Sequence, residues 1–272
     1  MRPIILLAAI LIVSTTSCKK ENNPKTTDPT ANDPKTGYRM TTWESYNWGY
    51  RISYHFEYNN ESKLSKFTKV LPPLDTSSTQ RIITHTFQYG AGGRIETEQN
   101  HSPGGKILYG HYYYTNDGHL ERFEYKNDTG LVELRLEYKY SGNVMDMRIT
   151  HAPNGGVTNY KFYKDSVGNI NEIWCQSGIN PNYRLSLSGT TYDDNPNIFS
   201  TIPGMECFYM LTSPDEFSGI ITKNNVLTNK VHTNTGTVYS YKTSYEYNSD
   251  SVVVKRSSED GMSLDVFSYE RY

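Results

Sequence analysis

Between Leu131 and His151 apolar and charged positions alternate. Val132, Leu134, Leu136, Tyr138 and Tyr140 are apolar or aromatic, and Glu133, Arg135, Glu137 and Lys139 between them are charged. A period of two with one greasy and one charged face predicts a half-buried strand, not a helix. Gly142-Asn143 suits a two-residue hairpin turn. That turn places Tyr140 opposite Met145, Tyr138 opposite Met147 and Leu136 opposite Ile149 on one face. On the other face Lys139 meets Asp146 and Glu137 meets Arg148. Opposite charges are opposed, each pair contributing roughly 0.2–1 kcal/mol. A slip of one residue would lose both ladders. The same reasoning with Asn154-Gly155 as the next turn predicts Ile149 opposite Tyr160 and Met147 opposite Phe162. Three consecutive strands then share one face, which is a meander.

Strand-like stretches recur along the chain. They are Ile52–Tyr58, Lys63–Val70, Arg81–Tyr89, Arg94–Gln99, Lys106–Tyr114, His119–Lys126, Leu131–Tyr140, Asn143–His151, Val157–Lys164 and Asn169–Gln176. Leu185–Tyr192, Gly219–Thr222, Lys230–Thr233, Thr237–Tyr247, Ser251–Ser257 and Ser263–Tyr269 complete the series. Gly, Asn, Asp and Pro punctuate it, as expected between hairpin strands. Asp193–Met205, with Pro196 and Pro203, reads as a loop or short helical excursion, and Asp215-Glu216-Phe217 as the start of a helical turn. The expected fold is all-β: a long antiparallel meander of Tyr-rich hairpin repeats in a twisted, curled sheet.

The repeat has a spacing. A Tyr is followed six residues on by an aliphatic residue at Tyr58/Leu64, Tyr89/Ile95, Tyr114/Leu120, Tyr125/Leu131, Tyr138/Val144, Tyr192/Ile198 and Tyr247/Val253, and seven on at Tyr163/Ile170. Gly stands two positions before the aliphatic residue in Gly93-Arg94-Ile95, Gly118-His119-Leu120 and Gly168-Asn169-Ile170. Tyr closes one strand and the aliphatic residue opens the next.

Composition fits this pattern. Of 272 residues, 24 are Tyr and only 36% are hydrophobic, so many strands must expose a whole face. Formal net charge is −2, which lends no support to a nucleic-acid partner. No CxxC or Cys/His cluster suggests zinc, and no cofactor motif is present. Cys175 and Cys207 could pair in an oxidising compartment or remain as thiols.

The N-terminus reads as an address. Arg2 precedes the apolar run Ile4–Val13, too short to span a bilayer and suited to a signal-peptide core over residues 1–17. Ser14-Thr15-Thr16-Ser17-Cys18 resembles a bacterial lipobox, with Thr15 where an aliphatic residue is usual. The resemblance implies a lipid on Cys18. Residues 18–37 hold no large apolar side chain and read as a disordered tether. Residues 38–272 form one all-β domain by length and pattern.

The units resemble the YD repeats of RHS-type proteins. As a whole, the chain resembles lipoproteins of the Bacteroidetes built from such repeats. The marks are the lipobox, the tether, Tyr192-Asp193-Asp194-Asn195-Pro196-Asn197 and the pair Asn224-Asn225. The Asp after Tyr survives only in Tyr192-Asp193. The resemblance implies location and fold, with no activity attached.

Chemistry is sparse. There is no GxSxG and no HExxH, and the seven His, at 55, 85, 101, 111, 119, 151 and 232, are scattered. Asp193-Asp194-Asn195 lacks calcium-loop spacing and reads as a turn bonded to its own backbone. Aromatics are the remaining resource. Trp43, Tyr46, Trp48 and Tyr50 cluster at the domain start, and Tyr112 and Tyr114 form a second group with His111 and Tyr113. Such rings can stack on sugars or dock a protein edge, or serve as core. The expectation is a lipid-anchored, non-catalytic binding or scaffold module of the cell envelope, on the periplasmic or surface face of the outer membrane. It would reach the membrane through its lipid and contact a glycan or an envelope protein. The alternatives are an extracytoplasmic enzyme acting on glycans, which would need a cleft with paired carboxylates or a His–carboxylate site, and a lipid carrier, which would need a large apolar cavity.

Overall fold

The computed structural model describes residues 37–47, 49–73, 80–152, 155–178, 182–202 and 221–272. They form sixteen antiparallel strands in chain order. These are β1 (Tyr38–Asn47), β2 (Tyr50–Tyr58), β3 (Leu64–Leu71), β4 (Arg81–Tyr89), β5 (Ile95–His101), β6 (Ile107–Tyr114), β7 (Leu120–Lys126) and β8 (Val132–Ser141). The second half is β9 (Val144–His151), β10 (Gly156–Lys164), β11 (Ile170–Ser177), β12 (Arg184–Pro196), β13 (Asn224–His232), β14 (Val238–Tyr247), β15 (Val253–Ser258) and β16 (Ser263–Arg271). Each strand pairs with the next, and β1 pairs with β16, so the meander closes into a barrel.

The expected twisted, curled meander is in fact curled all the way round into a closed barrel. The closing strand, β1, is missing from the sequence-based series of strands. Its even-numbered and odd-numbered positions are both mixed: Met40 and Trp43 are buried three residues apart because the β1–β16 register slips between Met40 and Thr42. A bulge of this kind erases the period of two that marks a strand.

The hairpin register is as expected for β8 and β9. Tyr140 faces Met145, Tyr138 faces Met147 and Leu136 faces Ile149, with Glu137 opposite Arg148 and Lys139 opposite Asp146. The Asp146 carboxylate, however, lies 3.4 Å from Lys161 Nζ on β10. The β9–β10 register is displaced by two residues from the expectation. Met147 faces Tyr160, and Met145 faces Phe162. The loop is longer than the two-residue turn assumed at Asn154-Gly155, and an even shift keeps every side chain on its face. Further along, β12 runs on to Pro196 and is followed by a 3₁₀ turn, Ile198–Thr201. The strand expected at Lys230–Thr233 begins at Asn224, and Ile221 and Thr222 lie before it. Gly219, Ile220 and the turn at Asp215–Phe217 fall outside the described residues.

One turn type recurs at eight hairpins. In each, the first residue's N–H donates to the carbonyl four residues on, and its carbonyl accepts from the N–H three residues on, as in Asn59/Lys63 and Ser62/Asn59 (2.8 and 3.0 Å). The fourth position has positive φ every time: Gly93, Gly105, Gly118, Gly130, Gly168 and Gly236, with Ser62 and Ser251 as the exceptions to glycine. Gly93, Gly118 and Gly168 are the glycines that stand two positions before the aliphatic residue in the sequence repeat. Side chains at the first position tighten the turn; Asn59 Oδ1 accepts from Glu61 N and Lys63 N, and Asp165 Oδ1 from three successive N–H groups.

The Tyr of the repeat also has a job. Tyr38 enters the barrel at its near end, and the β1–β2 turn lies at the opposite, far end. At the near end each even-numbered strand sends a Tyr hydroxyl to a carbonyl at the start of the preceding odd-numbered strand. Tyr58 donates to Met40 O, Tyr89 to Leu64 O, Tyr114 to Ile95 O and Tyr140 to Leu120 O, at 2.7–3.1 Å. Tyr192, Tyr245 and Tyr269 do the same to Ile170, Val226 and Val253. Five of these acceptors are aliphatic openers of the repeat. Burial pushes the Tyr192 and Tyr245 hydroxyls up to about 12, and drives Tyr58 and Tyr269 higher still. Only β10 departs, placing Lys164 where the others place Tyr; its N–H donates to Asn143 O and its carbonyl accepts from Asn143 Nδ2.

The core lies inside the barrel. Trp43, Tyr54, Phe67, Phe123, Tyr125, Leu136, Met147, Phe162 and Ile173 point inward and are buried. Ile198 and Phe199 fold in after β12, and the Phe199 ring packs edge-on against Trp43 and Phe267 at centroid distances of 5.1 and 6.3 Å. The outward face is charged at mid-strand, with Arg135, Glu137, Asp146, Arg148, Lys161 and Glu172 on neighbouring strands. A lipid-facing barrel requires an apolar outer band; here the hydrophobic core is within, and the outer wall over β8–β11 is charged.

Candidate functional site

The densest chemistry among the described residues is a polar cluster inside β4–β7. Glu98 points inward from β5 and is 4% exposed. Its carboxylate accepts from the Tyr112 and Tyr125 hydroxyls, and His85 Nδ1 lies 3.3 Å away. Asn100 Nδ2 approaches His85 Nε2 and Tyr125 Oη, both at 3.4 Å, while Ser102 Oγ donates to Asn100 Oδ1 at 3.0 Å. With Asn100 Oδ1 so engaged, its amide faces Nε2, which assigns the His85 proton to Nδ1, toward Glu98.

Room for Glu98 is made by Gly110, its cross-strand partner on β6. A Cβ at Gly110 would overlap Glu98 Cγ outright and lie 2.9 Å from Phe123 Cε2. The cluster contains a His–carboxylate pair, the feature an enzyme reading would need. Both members are closed off within the barrel and engaged by protein groups. A general acid or base must reach its substrate, and this pair faces only its neighbours. Its role is to satisfy a buried carboxylate, which is costly unless fully hydrogen-bonded.

A second polar cluster ties the end of β12 and the turn after it to the start of β13 at the near end. Asp193 accepts from Asn225 N and Nδ2 at 3.2 Å and from the Tyr247 hydroxyl. Burial, then the Asp193 carboxylate, raises the Tyr247 pKa well above the usual range. Asn197 caps the 3₁₀ turn by accepting from Phe199 N, and Ile198 N donates to Asn225 Oδ1. Asp193-Asp194-Asn195 and Asn224-Asn225, which mark the sequence resemblance, are thus brought together as one clasp. Among the described residues no group of His, Cys, Asp and Glu could hold a metal ion.

The aromatics expected to contact a ligand divide. Trp43 is core: it stacks on Tyr54 at 4.1 Å and donates from Nε1 to Asp265 at 2.7 Å. Tyr112 is core too, bound to Glu98. Tyr114 is a half-buried latch beneath the Arg94 guanidinium. Trp48 lies outside the described residues, as does Cys18. Cys175 is buried on β11, and Cys207 is outside the described residues. Tyr46 and Tyr50 remain at the surface, with Tyr50 62% exposed. They sit at the far end, beside a groove of about 430 Å³ lined by Tyr50, Arg51, Ser53, His55, Pro72, Pro73 and Gln80. Arg51 is anchored to Glu44 at 2.8 Å. Burial would raise Glu44, but hydrogen bonds from Arg51 and Ser53 outweigh it and hold the carboxyl below its usual value.

Tyr46 and Tyr50 belong to a wider pattern. Of thirteen exposed large apolar or aromatic side chains among the described residues, nine lie at the far end: Tyr46, Tyr50, Ile82, Leu131, Tyr183, Val238, Tyr239, Tyr241 and Met262. They come from six different hairpins. Tyr140, Val167 and Tyr272 are at the near end. The sequence carried no mark of this rim, because its members are far apart in the chain and share one end only when the barrel closes.

No protein-family model matches the chain, and no curated protein matches it in sequence. Among solved structures it is similar in fold to a porin-like protein from Bacteroides vulgatus, with 14% identity over 85% of this chain and 98% of that one, and a TM-score of 0.47. A porin-like protein from Bacteroides uniformis is similar at 11% identity over the same shares, with a TM-score of 0.42. A third similarity, to a chain of the TcdB2-TccC3-Cdc42 structure, covers 77% of this chain and 13% of that one at 12% identity, with a TM-score of 0.31.

Proposed function

We propose that the protein is a non-catalytic binding module of the bacterial cell envelope, held to a membrane by a lipid on Cys18, with its far rim as the contact face. The single observation carrying this reading is the concentration of exposed apolar and aromatic side chains at the far end. Exposed apolar surface that is contiguous marks interaction sites, and Val238, Tyr239 and Tyr241 stand together within four residues of β14. The tether joins the domain at Tyr38, so an anchored molecule keeps the opposite rim free to meet a partner. The charged outer wall supports anchoring by lipid and not by the strands. The groove beside Tyr50 suits a glycan ring or a partner's side chain, with Tyr50 as the stacking surface.

The test is site-specific photo-crosslinking in native envelopes. A photoreactive residue replaces Tyr50 or Tyr183 at the far end, or Val167 at the near end. Discrete adducts from positions 50 and 183 and none from 167 are expected. Labelling from 167 alone, or equally from all three, overturns the reading.

A further inference from the structure

Among the described residues the far end leaves a sheet edge uncovered, and we propose that this edge, on β14, pairs with the same edge of a second copy of the chain in an antiparallel junction centred on Tyr239. β13 pairs with Val238–Lys242, whereas β15 pairs only with Thr243–Tyr247. Glu259 N donates to Lys242 O at 2.9 Å, which ends the cover there. Among the described residues no strand lies on the outer side of residues 238–241. Both faces of this stretch are exposed, with Val238, Tyr239 and Tyr241 at 48%, 51% and 43%.

The direction of the peptide groups follows from the turn. Thr233 N donates to Thr237 O, so in the alternating antiparallel pattern Tyr239 and Tyr241 bond to β13. The N–H and C=O groups of Val238 and Ser240 then point outward. Protected edges carry Pro, charge or a bulge; residues 238–241 hold neither Pro nor charge, and the β13–β14 register is unbroken.

A second copy fits this edge. With the two-fold axis at Tyr239, Val238 of each copy faces Ser240 of the other, and the two pairs exchange hydrogen bonds. Tyr239 faces its own counterpart as a non-hydrogen-bonded pair, with Cα atoms about 4.5 Å apart. Lys242 comes opposite Gly236 of the second copy, and the Thr233–Thr237 turn is uncharged, so no like charges are opposed. Moving the axis to Ser240 would set Thr237 of the second copy against Thr243, a place Ser258 already occupies. The junction is isologous and closes as a dimer.

This inference rests on the far rim being a contact face, but it can fail separately, since position 50 lies off the pairing edge. The experiment uses the full chain with Cys18→Ala and Cys207→Ser, followed by sedimentation and oxidative crosslinking. The parent is expected to sediment as a concentration-dependent dimer. Ser240→Pro, which removes an outward N–H, and Tyr239→Lys, which opposes two charges at the axis, should each weaken association by about tenfold or more. Tyr239→Cys should form a disulfide dimer, while Tyr241→Cys should not. A monomer at every concentration overturns the proposal, whether the edge is bare or meant for a foreign strand. So does crosslinking through position 241 as readily as through 239, or dimerisation unchanged by Tyr239→Lys.

Discussion

Gly110→Ala tests whether the buried carboxylate is held as described. The new methyl group would overlap Glu98 Cγ and begin 2.9 Å from Phe123 Cε2. Neither neighbour can yield easily: Glu98 is fixed by Tyr112, Tyr125 and His85, and Phe123 packs against both tyrosine rings at 4.7 and 4.6 Å. Overpacking of this kind costs about 1–3 kcal/mol. Glu98→Ala removes the overlap but leaves the two tyrosine hydroxyls and His85 Nδ1 without their acceptor. Each unsatisfied buried group costs about 1–3 kcal/mol. In the double variant the methyl group at position 110 enters space vacated by the Glu98 side chain. The two costs then fail to add, and the double variant should be more stable than their sum by about 1–3 kcal/mol. Urea unfolding of the parent, both single variants and the double variant measures this, with equal m-values required for the comparison. Additivity within about 0.5 kcal/mol would refute the reasoning, because residues in contact are expected to couple.

Two further outcomes follow from the repeat. Ser62 holds φ +60°, and Ser62→Gly should stabilise the barrel by about 0.5–1 kcal/mol in denaturant unfolding, whereas Gly236→Ala, at φ +82° with open space around the new Cβ, should destabilise it by about 1–2 kcal/mol; matching signs for the two would contradict the turn geometry. The tyrosine latches predict alkaline unfolding: unfolded Tyr ionises near pH 10, whereas burial holds Tyr192 and Tyr245 protonated to about 12, so their contribution is intact below pH 10 and lost as pH rises toward 12. Spectrophotometric titration should show these hydroxyls ionising together with loss of β-structure, and their free titration near pH 10 in a folded barrel would count against the latches.

The chain's own pattern determined every strand but β1, most of their bounds, and the register of β8 against β9, while the strand it suggested at Gly219–Thr222 is not one at Ile221 and Thr222. These are local properties: an alternation of side chains chooses a face, and a two-residue turn chooses a partner. The repeat of Tyr and aliphatic residue was equally legible, though its purpose was not. Tyr89 and the Leu64 carbonyl it meets are 25 positions apart, and only the stacking of one hairpin on the next brings them together. The β9–β10 register slipped by two because loop length, not the face pattern, sets it. Barrel closure depended on β1, whose alternation is broken by the slip between Met40 and Thr42. It also depended on pairing the first strand with the last, which no local signal specifies. The Glu98 cluster draws on four strands, and the far rim on six hairpins. Trp43 and Tyr50, seven residues apart in one aromatic run, went to opposite fates, core and rim. Sequence supplies the ring; which side of a closed wall it stands on is decided by the fold.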